Sequence, residues 1–380
     1  MSKKVMISAG ETSGELYGAL LSVEIMKLWP DTRIFGIGGP RMEAAGVRLI
    51  APITHVIGIF EAIKHIPEGK RTLDKAAKFM FDEKPDILVL IDYPDFNIAL
   101  AKKAKAAGVP VLCYVSTQVW AWRGGRVYTI AALAQKMAVL FPFEVAYYEK
   151  TGLPCEFVGH PIVETINFHQ SKEELKTGLG LDPEKGVITL LPGSRPNEIN
   201  RHQAIIREVA ERIHDEFPEM QIVVPLVPGS NLIGPLPDYV KVVYGRTTEA
   251  VACSDASAVA SGTATLETAL LGTPLVVFYK VSPVTYFLGK LLTRSSTIKF
   301  FSLVNILSGE KVVQELLQKE ADSGVIFQEM KRLLTDIPYR DRMIHHLNKI
   351  RSMMENKRPS SRVASIIGEI TGWSSNAVII

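Results

Sequence analysis

Five stretches of the chain carry residue types that could do chemistry. "LVLIDYPDFN" at 88–97 ends an apolar run in Asp92, with Asp95 three residues on and Pro94 fixing the turn between them. A carboxylate at the carboxyl end of a buried strand sits where partial burial raises its pKa, which suits Asp92 to general-base work. Asp95 has a second reading, as the cap of a helix starting near Phe96. "SAGETSGELYGALL" at 8–21 places Glu11 in a turn between a strand and a helix, where Gly10 and Gly14 allow close backbone approach. The pattern is not G-x-G-x-x-G, so it argues little for a dinucleotide. A helix N-cap with an incidental acid is the alternative there.

"LLPGSRPNEI" at 190–199 turns an apolar strand through Gly193 and Ser194 and presents Arg195 where a helix begins. Such a turn exposes backbone N–H groups that the helix dipole and the guanidinium both make attractive to a phosphate or pyrophosphate. "VASGTATLETALLGTP" at 259–274 repeats the device with Ser261, Gly262 and Thr263, and Glu267 lies about one turn into its helix, placed to accept both hydroxyls of a ribose. Two anion turns and one helical acid together read as a nucleotide-diphosphate site. "YVSTQVWAWRGGRVYTI" at 114–130 offers Ser116, Gln118, Trp120, Trp122, Arg123 and Arg126. The indoles could stack on a sugar or wall off an acyl chain, or belong to the core, and the arginines favour an anionic ligand group. The acids at 92 and 95 are not a D-x-D pair and the histidines lack ligand spacing, so no metal is expected. Arg195 and helix N-termini would then stabilise a leaving diphosphate.

The elements that must position these residues follow βαβ grammar. "KKVMIS", "RIFGIGG", "DILVLID", "VPVLCYVS", "KMAVLF" and "CEFVG" read as strands, with apolar residues three and four apart in the segments between them. The grammar restarts with "VITLLPGS", "MQIVVPLV", "VKVVYG", "ASAVASG" and "PLVVFY". The expectation is an α/β protein with two doubly wound parallel sheets whose strand ends face an interdomain cleft. Its Rossmann-like domains would span 1–165 and 186–340, joined by a linker near 160–186, with helices at 341–380 packing back across both. From about 282 onward, "SPVTYFLGKLL", "KVVQELLQ", "VIFQEMKRLLTDI", "YRDRMIHHLNKIRSMME" and "RVASIIGEITGW" read as helices and strands cease.

A length of 380 residues suits two domains, and 43 basic against 40 acidic residues, net +3, excludes a polybasic field of the nucleic-acid type. Three dispersed cysteines argue against a disulfide framework and for a reducing, cytoplasmic compartment. The first apolar stretch, about five residues long, is too short for a signal peptide's core. No window reaches the ~20 apolar residues of a membrane span. Two segments, 56–71 with Ile57, Ile59 and Phe60, and 286–307, mix apolar residues with lysine and arginine. Each is either a surface that leans on anionic lipid or a core helix with snorkelling lysines.

"AGETSGE", "GIGGPRM", "IGIFEAI", "KPDILVLIDYPDFN", "YVSTQVWAWR", "FPFE", "FVGHP", "LLPGSR", "VPLV", "SGTATLE" and "SLVNILSGEKVVQELLQ" follow one another from about residue 8 to 320. With this set the chain resembles bacterial lipid-A-disaccharide synthase, a family of GT-B glycosyltransferases of Gram-negative lipid A biosynthesis. The resemblance implies that the 6-hydroxyl of 2,3-diacylglucosamine 1-phosphate attacks the anomeric carbon of UDP-2,3-diacylglucosamine, releasing UDP and giving an inverted β-1,6 linkage. It implies no cofactor, Asp92 as the base with Asp95 and Glu11 beside it, an essential Arg195, and a donor site to which Asn305 contributes. It further implies an acceptor and acyl region in the N-terminal domain, attachment to the cytoplasmic face of the inner membrane, and a homodimer through exchanged C-terminal helices. Thr117, Val304 and Gln314 stand where the family commonly has proline, which bears on the loops at 116–118 and 303–305. A UDP-sugar 2-epimerase, another GT-B transferase on a soluble acceptor, and a non-catalytic nucleotide-sugar binding module are the alternatives.

Overall fold

The computed structural model describes residues 2–52, 59–116, 125–166, 170–230, 232, 234–281 and 299–374, with only the backbone for Thr12 and 59–66. Two compact units divide the chain, one of 1–164 with 357–380 and the other of 165–356.

The first unit is built on β1 (Lys4–Ala9), β2 (Arg33–Gly38), β3 (Arg48–Pro52), β4 (Ile87–Ile91), β5 (Val111–Tyr114), β6 (Lys136–Val139) and β7 (Cys155–Phe157). All pair in parallel in the order β3-β2-β1-β4-β5-β6-β7. Strands covered by helices on both faces read as unbroken apolar runs, and the "ILVLI" of β4 is buried at every position. Met6, Phe35, Leu88 and Leu90 pack with Ala76, Met80, Leu100 and Ala104, which come from helices Ile59–Glu83 and Pro94–Ala106. The order turns back between β1 and β4, so the chain leaves those two strands in opposite lateral directions and opens a crevice at their carboxyl ends.

The second unit repeats the plan with β8 (Val187–Leu191), β9 (Gln221–Leu226), β10 (Val240–Tyr244), β11 (Ala256–Ala260), β12 (Leu275–Tyr279) and β13 (Glu315–Leu317). Their parallel order is β10-β9-β8-β11-β12-β13, with the reversal between β8 and β11. The two parallel sheets match the expected fold class.

Two strands depart from the sequence reading. "KVVQELLQ" is not a helix, because Glu315–Leu317 form β13 on the edge of β12, so strands do not cease at 282. Three residues are too few for periodicity to separate strand from helix. β3 escaped notice because its edge position tolerates Arg48 and a terminal Pro52, and its pairing with β2 is broken by a register shift at Gly36/Ile37. "SPVTYFLGKLL" lies outside the described residues.

Within 341–380, helix Ile337–Met354 belongs to the second unit, whereas helix Pro359–Thr371 packs on helix Thr12–Leu28 of the first. Trp373 meets Trp29 edge to face at 5.1 Å, and the Trp29 indole N–H donates to the Ser374 carbonyl at 2.9 Å. Arg362 grips Glu156 of β7 through two N–H···O bonds of 2.5 and 2.8 Å. That guanidinium first, and Lys136 after it, pull the Glu156 carboxyl down to about 2 against a smaller opposing effect of burial.

Candidate active site

Ala9 of β1 pairs with Ile91 of β4, so Gly10 and Glu11 emerge beside Asp92 and Tyr93 at the turning point of the first sheet. Asp92 and Tyr93 have φ of 52° and 50°, two successive non-glycine residues in the left-handed region. Such backbone costs about 1–2 kcal/mol per residue and persists only where neighbours hold it. Asn97 supplies that hold. Its amide donates to the Ile91 carbonyl at 3.3 Å and the Asp92 carbonyl at 2.5 Å, and its Oδ1 accepts from buried Ser8 of β1 at 2.7 Å. Pro94 then starts the next helix at its first position, where a missing N–H costs nothing.

Gly10 has to be glycine, since a Cβ there would fall 2.1 Å from the Tyr93 Cβ. The close approach read from its sequence is therefore to Tyr93. The Tyr93 phenol is pushed up, first by burial and then by the carboxylates of Asp95, Glu11 and Glu68. Three acids thus gather around one phenol, and Glu68 comes from helix Ile59–Glu83. Asp95 is exposed in the first helical turn and does not cap it; its carboxylate pairs with Arg126 at the start of helix Arg126–Ala131. Asp92 is half-buried and lines an apolar hollow with Leu90, Pro94, Ile98, Val115 and Met137.

Ser116 follows Val115, whose φ of 80° is exceptional for a β-branched residue. The Ser116 hydroxyl is buried and bonded to the Tyr148 hydroxyl at 3.0 Å. Gln118, Trp120, Trp122, Arg123, Thr117 and Ile57 lie outside the described residues, and the side chains of Ile59 and Phe60 do too. Tyr93, Glu68 and Asn97 were missed as site residues. The signal available was Asn97 itself, a poor helix former placed just inside a helix start.

At the turning point of the second sheet, Leu191 of β8 pairs with Val259 of β11, so Pro192–Arg195 and Ser261–Thr263 emerge side by side. Each segment enters a helix, Pro196–Glu216 and Thr263–Leu270 respectively. Gly193 has φ of 116°. The N–H groups of Ser194 and Arg195 both donate to Glu198 Oε2 at 3.2 Å, and Arg195 reaches Glu198 Oε1 at 3.4 Å. Tyr279 at the end of β12 donates to that same Oε1 at 2.9 Å. Behind the turn, fully buried His202 accepts the Lys280 N–H on Nε2 at 3.0 Å, so its Nδ1 carries the proton and donates to the Pro192 carbonyl at 2.6 Å. Burial lowers the His202 pKa, in keeping with a neutral ring.

Around Gly262 there is open space for a ligand to approach. Glu267 stands one turn further on; burial raises its carboxyl, and a hydrogen bond from the Thr248 hydroxyl works against that rise. Asn305 is fully buried with its amide saturated. It donates to the Val313 carbonyl and to Glu315, both at 2.9 Å, and accepts the N–H groups of Val312 and Val313. Among the described residues, no three His, Cys, Asp or Glu side chains gather closely enough to hold a metal ion.

One sheet therefore ends in carboxylates and the other in N–H groups with an arginine, which is the polarity that transfer of a group from a diphosphate needs. Solved structures with this architecture include the calicheamicin glycosyltransferase CalG4, with TM-score 0.65 and 16% identity over 98% of both chains. They also include the S. aureus MnaA–UDP co-structure, with TM-score 0.66 and 13% identity over 98% of both chains. The fold is that of the GT-B glycosyltransferases, which UDP-GlcNAc 2-epimerases share.

Sequence separates these classes. The family model described as lipid-A-disaccharide synthetase matches residues 5–366. The lipid-A-disaccharide synthases of Geobacter metallireducens and Geobacter sulfurreducens are 41% and 42% identical over 379 and 381 residues, covering 98% of each chain. The chain belongs to the lipid-A-disaccharide synthase family. The epimerase, soluble-acceptor and binding-module alternatives are not favoured by these relatives.

Proposed function

We propose that the protein transfers 2,3-diacylglucosamine from UDP-2,3-diacylglucosamine to the 6-hydroxyl of 2,3-diacylglucosamine 1-phosphate. The observation that carries this reading, beside the family, is the chemical contrast between the two turning points. The acceptor oxygen attacks the anomeric carbon on the face opposite UDP, the bond to the diphosphate oxygen breaks with its electron pair, and the acceptor proton passes to a carboxylate. Asp92 is assigned as that base. It is half-buried in the turn that ends β4, whereas the alternative, Asp95, is exposed in the first turn of the next helix. Asp95 and Glu11 position the acceptor with Tyr93.

Gly193, Ser194, Arg195, Ser261, Gly262 and Thr263 hold the diphosphate through N–H groups and charge, and Glu267 receives the ribose hydroxyls. Asn305 acts by holding 302–315 in place, since its amide has no hydrogen-bonding capacity left for the donor. Ser116 likewise supports its loop through Tyr148, and the acceptor region extends to Gln118, Trp120, Trp122, Arg123, Ile57, Ile59 and Phe60. Attachment to the cytoplasmic face of the inner membrane is supported by helix Ile59–Glu83, where Lys70, Arg71, Lys75 and Lys78 are exposed together with Phe81. Among the described residues, no helix is long and apolar enough to cross a membrane. A homodimer is proposed on the C-terminal helices, and sedimentation of the purified protein reads it.

The test is release of UDP from UDP-2,3-diacylglucosamine in detergent micelles containing EDTA, with and without 2,3-diacylglucosamine 1-phosphate. Acceptor-dependent release with a disaccharide product is expected. Bound UDP with no release in the presence of acceptor would reject the transferase reading.

A further inference from the structure

The two backbone N–H groups offered to a diphosphate by the turn after β8 are already engaged by a carboxylate of the chain. Glu198 Oε2 receives both, from Ser194 and Arg195, while Oε1 receives the Arg195 guanidinium and the Tyr279 hydroxyl. This carboxylate is firmly seated, with the Glu198 side chain only 12% exposed. A Cβ on Gly193 would stand 2.7 Å from Oε2 and 2.8 Å from the Glu198 Cβ, so the glycine leaves the space into which the acid folds back. The turn itself is held from behind by His202, which ties the Pro192 carbonyl to the Lys280 N–H next to Tyr279.

We propose that Glu198 is an internal competitor of the diphosphate: its carboxylate occupies the anion position of the turn, is displaced when UDP binds, and returns as UDP leaves. The inference rests on the reading of this turn as the diphosphate-holding end. One anion with two N–H donors is exchanged for another, so the N–H groups are satisfied in both states and the turn need not rebuild. Tyr279 supplies a donor that holds Oε1 while the carboxylate is seated at the turn and is given up when it leaves. Binding thereby loses part of the attraction that two open N–H groups and an arginine would exert on a phosphate, and product release gains what binding loses. Glu198 is a residue that sets how long UDP stays.

The experiment is titration of UDP and of uridine into the full chain, in wild type, Glu198→Gln and Tyr279→Phe. Gln keeps the size of the side chain and removes its charge, so UDP is expected to bind about tenfold more tightly, with slower dissociation and uridine unaffected. Tyr279→Phe loosens the seat without removing the charge and should tighten UDP by about two- to threefold. Unchanged or weaker UDP binding in Glu198→Gln with normal uridine binding overturns the proposal and makes Glu198 a support of the site. Should Glu198→Gln fail to fold, as read by its melting curve, Tyr279→Phe carries the test, and tightening absent there overturns it. Wild type that binds uridine but gains nothing from the diphosphate rejects the underlying assignment of the turn, an outcome distinct from either.

Discussion

The two turning points solve the same topological problem in opposite ways. In the first unit the turn after β4 is made of left-handed Asp92 and Tyr93, which strain accepts only because Asn97 and Ser8 hold the carbonyls. In the second unit the turn after β8 takes its left-handed residue as Gly193, where the conformation costs little, and fills the resulting hollow with Glu198. A strained turn with a dedicated brace suits the proposed base, whose carboxylate has to be held in one geometry. An unstrained turn with a resident anion is suited to exchange. Rigidity belongs at the reacting proton, and exchange belongs where a charged product must leave.

The comparison breaks most visibly if the carboxylate end is not where the proton goes. Asp92→Asn should lower kcat by about 10²- to 10⁴-fold while UDP affinity stays at the wild-type value, and Asp95→Asn should cost less. Steady-state kinetics beside UDP titration reads this, and a larger loss in Asp95→Asn would reverse the two roles. Next comes the brace. Asn97→Ala strands two carbonyls and the Ser8 hydroxyl, with an expected loss of about 2–3 kcal/mol of stability and about 10²-fold in kcat, and no change in UDP affinity. If activity falls only as far as the unfolded fraction accounts for, the turn is not a positioning device.

On the other side, Gly193→Ala forces a Cβ at φ of 116° onto Glu198 and should cost about 1–3 kcal/mol by thermal melting, with kcat at saturating donor little altered. The smallest effect lies far from both turns, at the Arg362–Glu156 clamp. Glu156 is lowered in the folded protein to about 2, so its contribution is complete above the unfolded value of 4.5 and is lost as pH falls between them. About 1 kcal/mol after solvent screening is expected, reduced in Arg362→Ala to what Lys136 still supplies, and urea titrations across that acid range measure it.

The strands that carry both sites were legible because parallel strands buried on two faces leave continuous apolar runs, as β1, β4, β8 and β11 do. Glu11, Asp92, Arg195 and Ser261 stood out for the same reason, each following such a run. Strand order was not legible, because which strands become neighbours depends on packing that no local pattern encodes. β13 was hidden by its three-residue length, and the hydrogen bond from the Asn305 amide to its Glu315 could be found only once both were placed. Glu198 and Asn97 were overlooked because each lies early in a helix, where an acid or an amide reads as ordinary end decoration. Only in the fold does one reach back to a turn's N–H groups and the other to its carbonyls.

The return of helix Pro359–Thr371 to the first unit has a consequence for how the protein is made. The second unit is one continuous stretch of chain, complete once residue 356 has left the ribosome, whereas the first is still missing the partners of Trp29, Glu156 and Glu164. Domains generally fold in the order of their synthesis. Here the half begun first is finished last, so the unit bearing the proposed base must wait until helix Pro359–Thr371 has been made to bury its remaining apolar face.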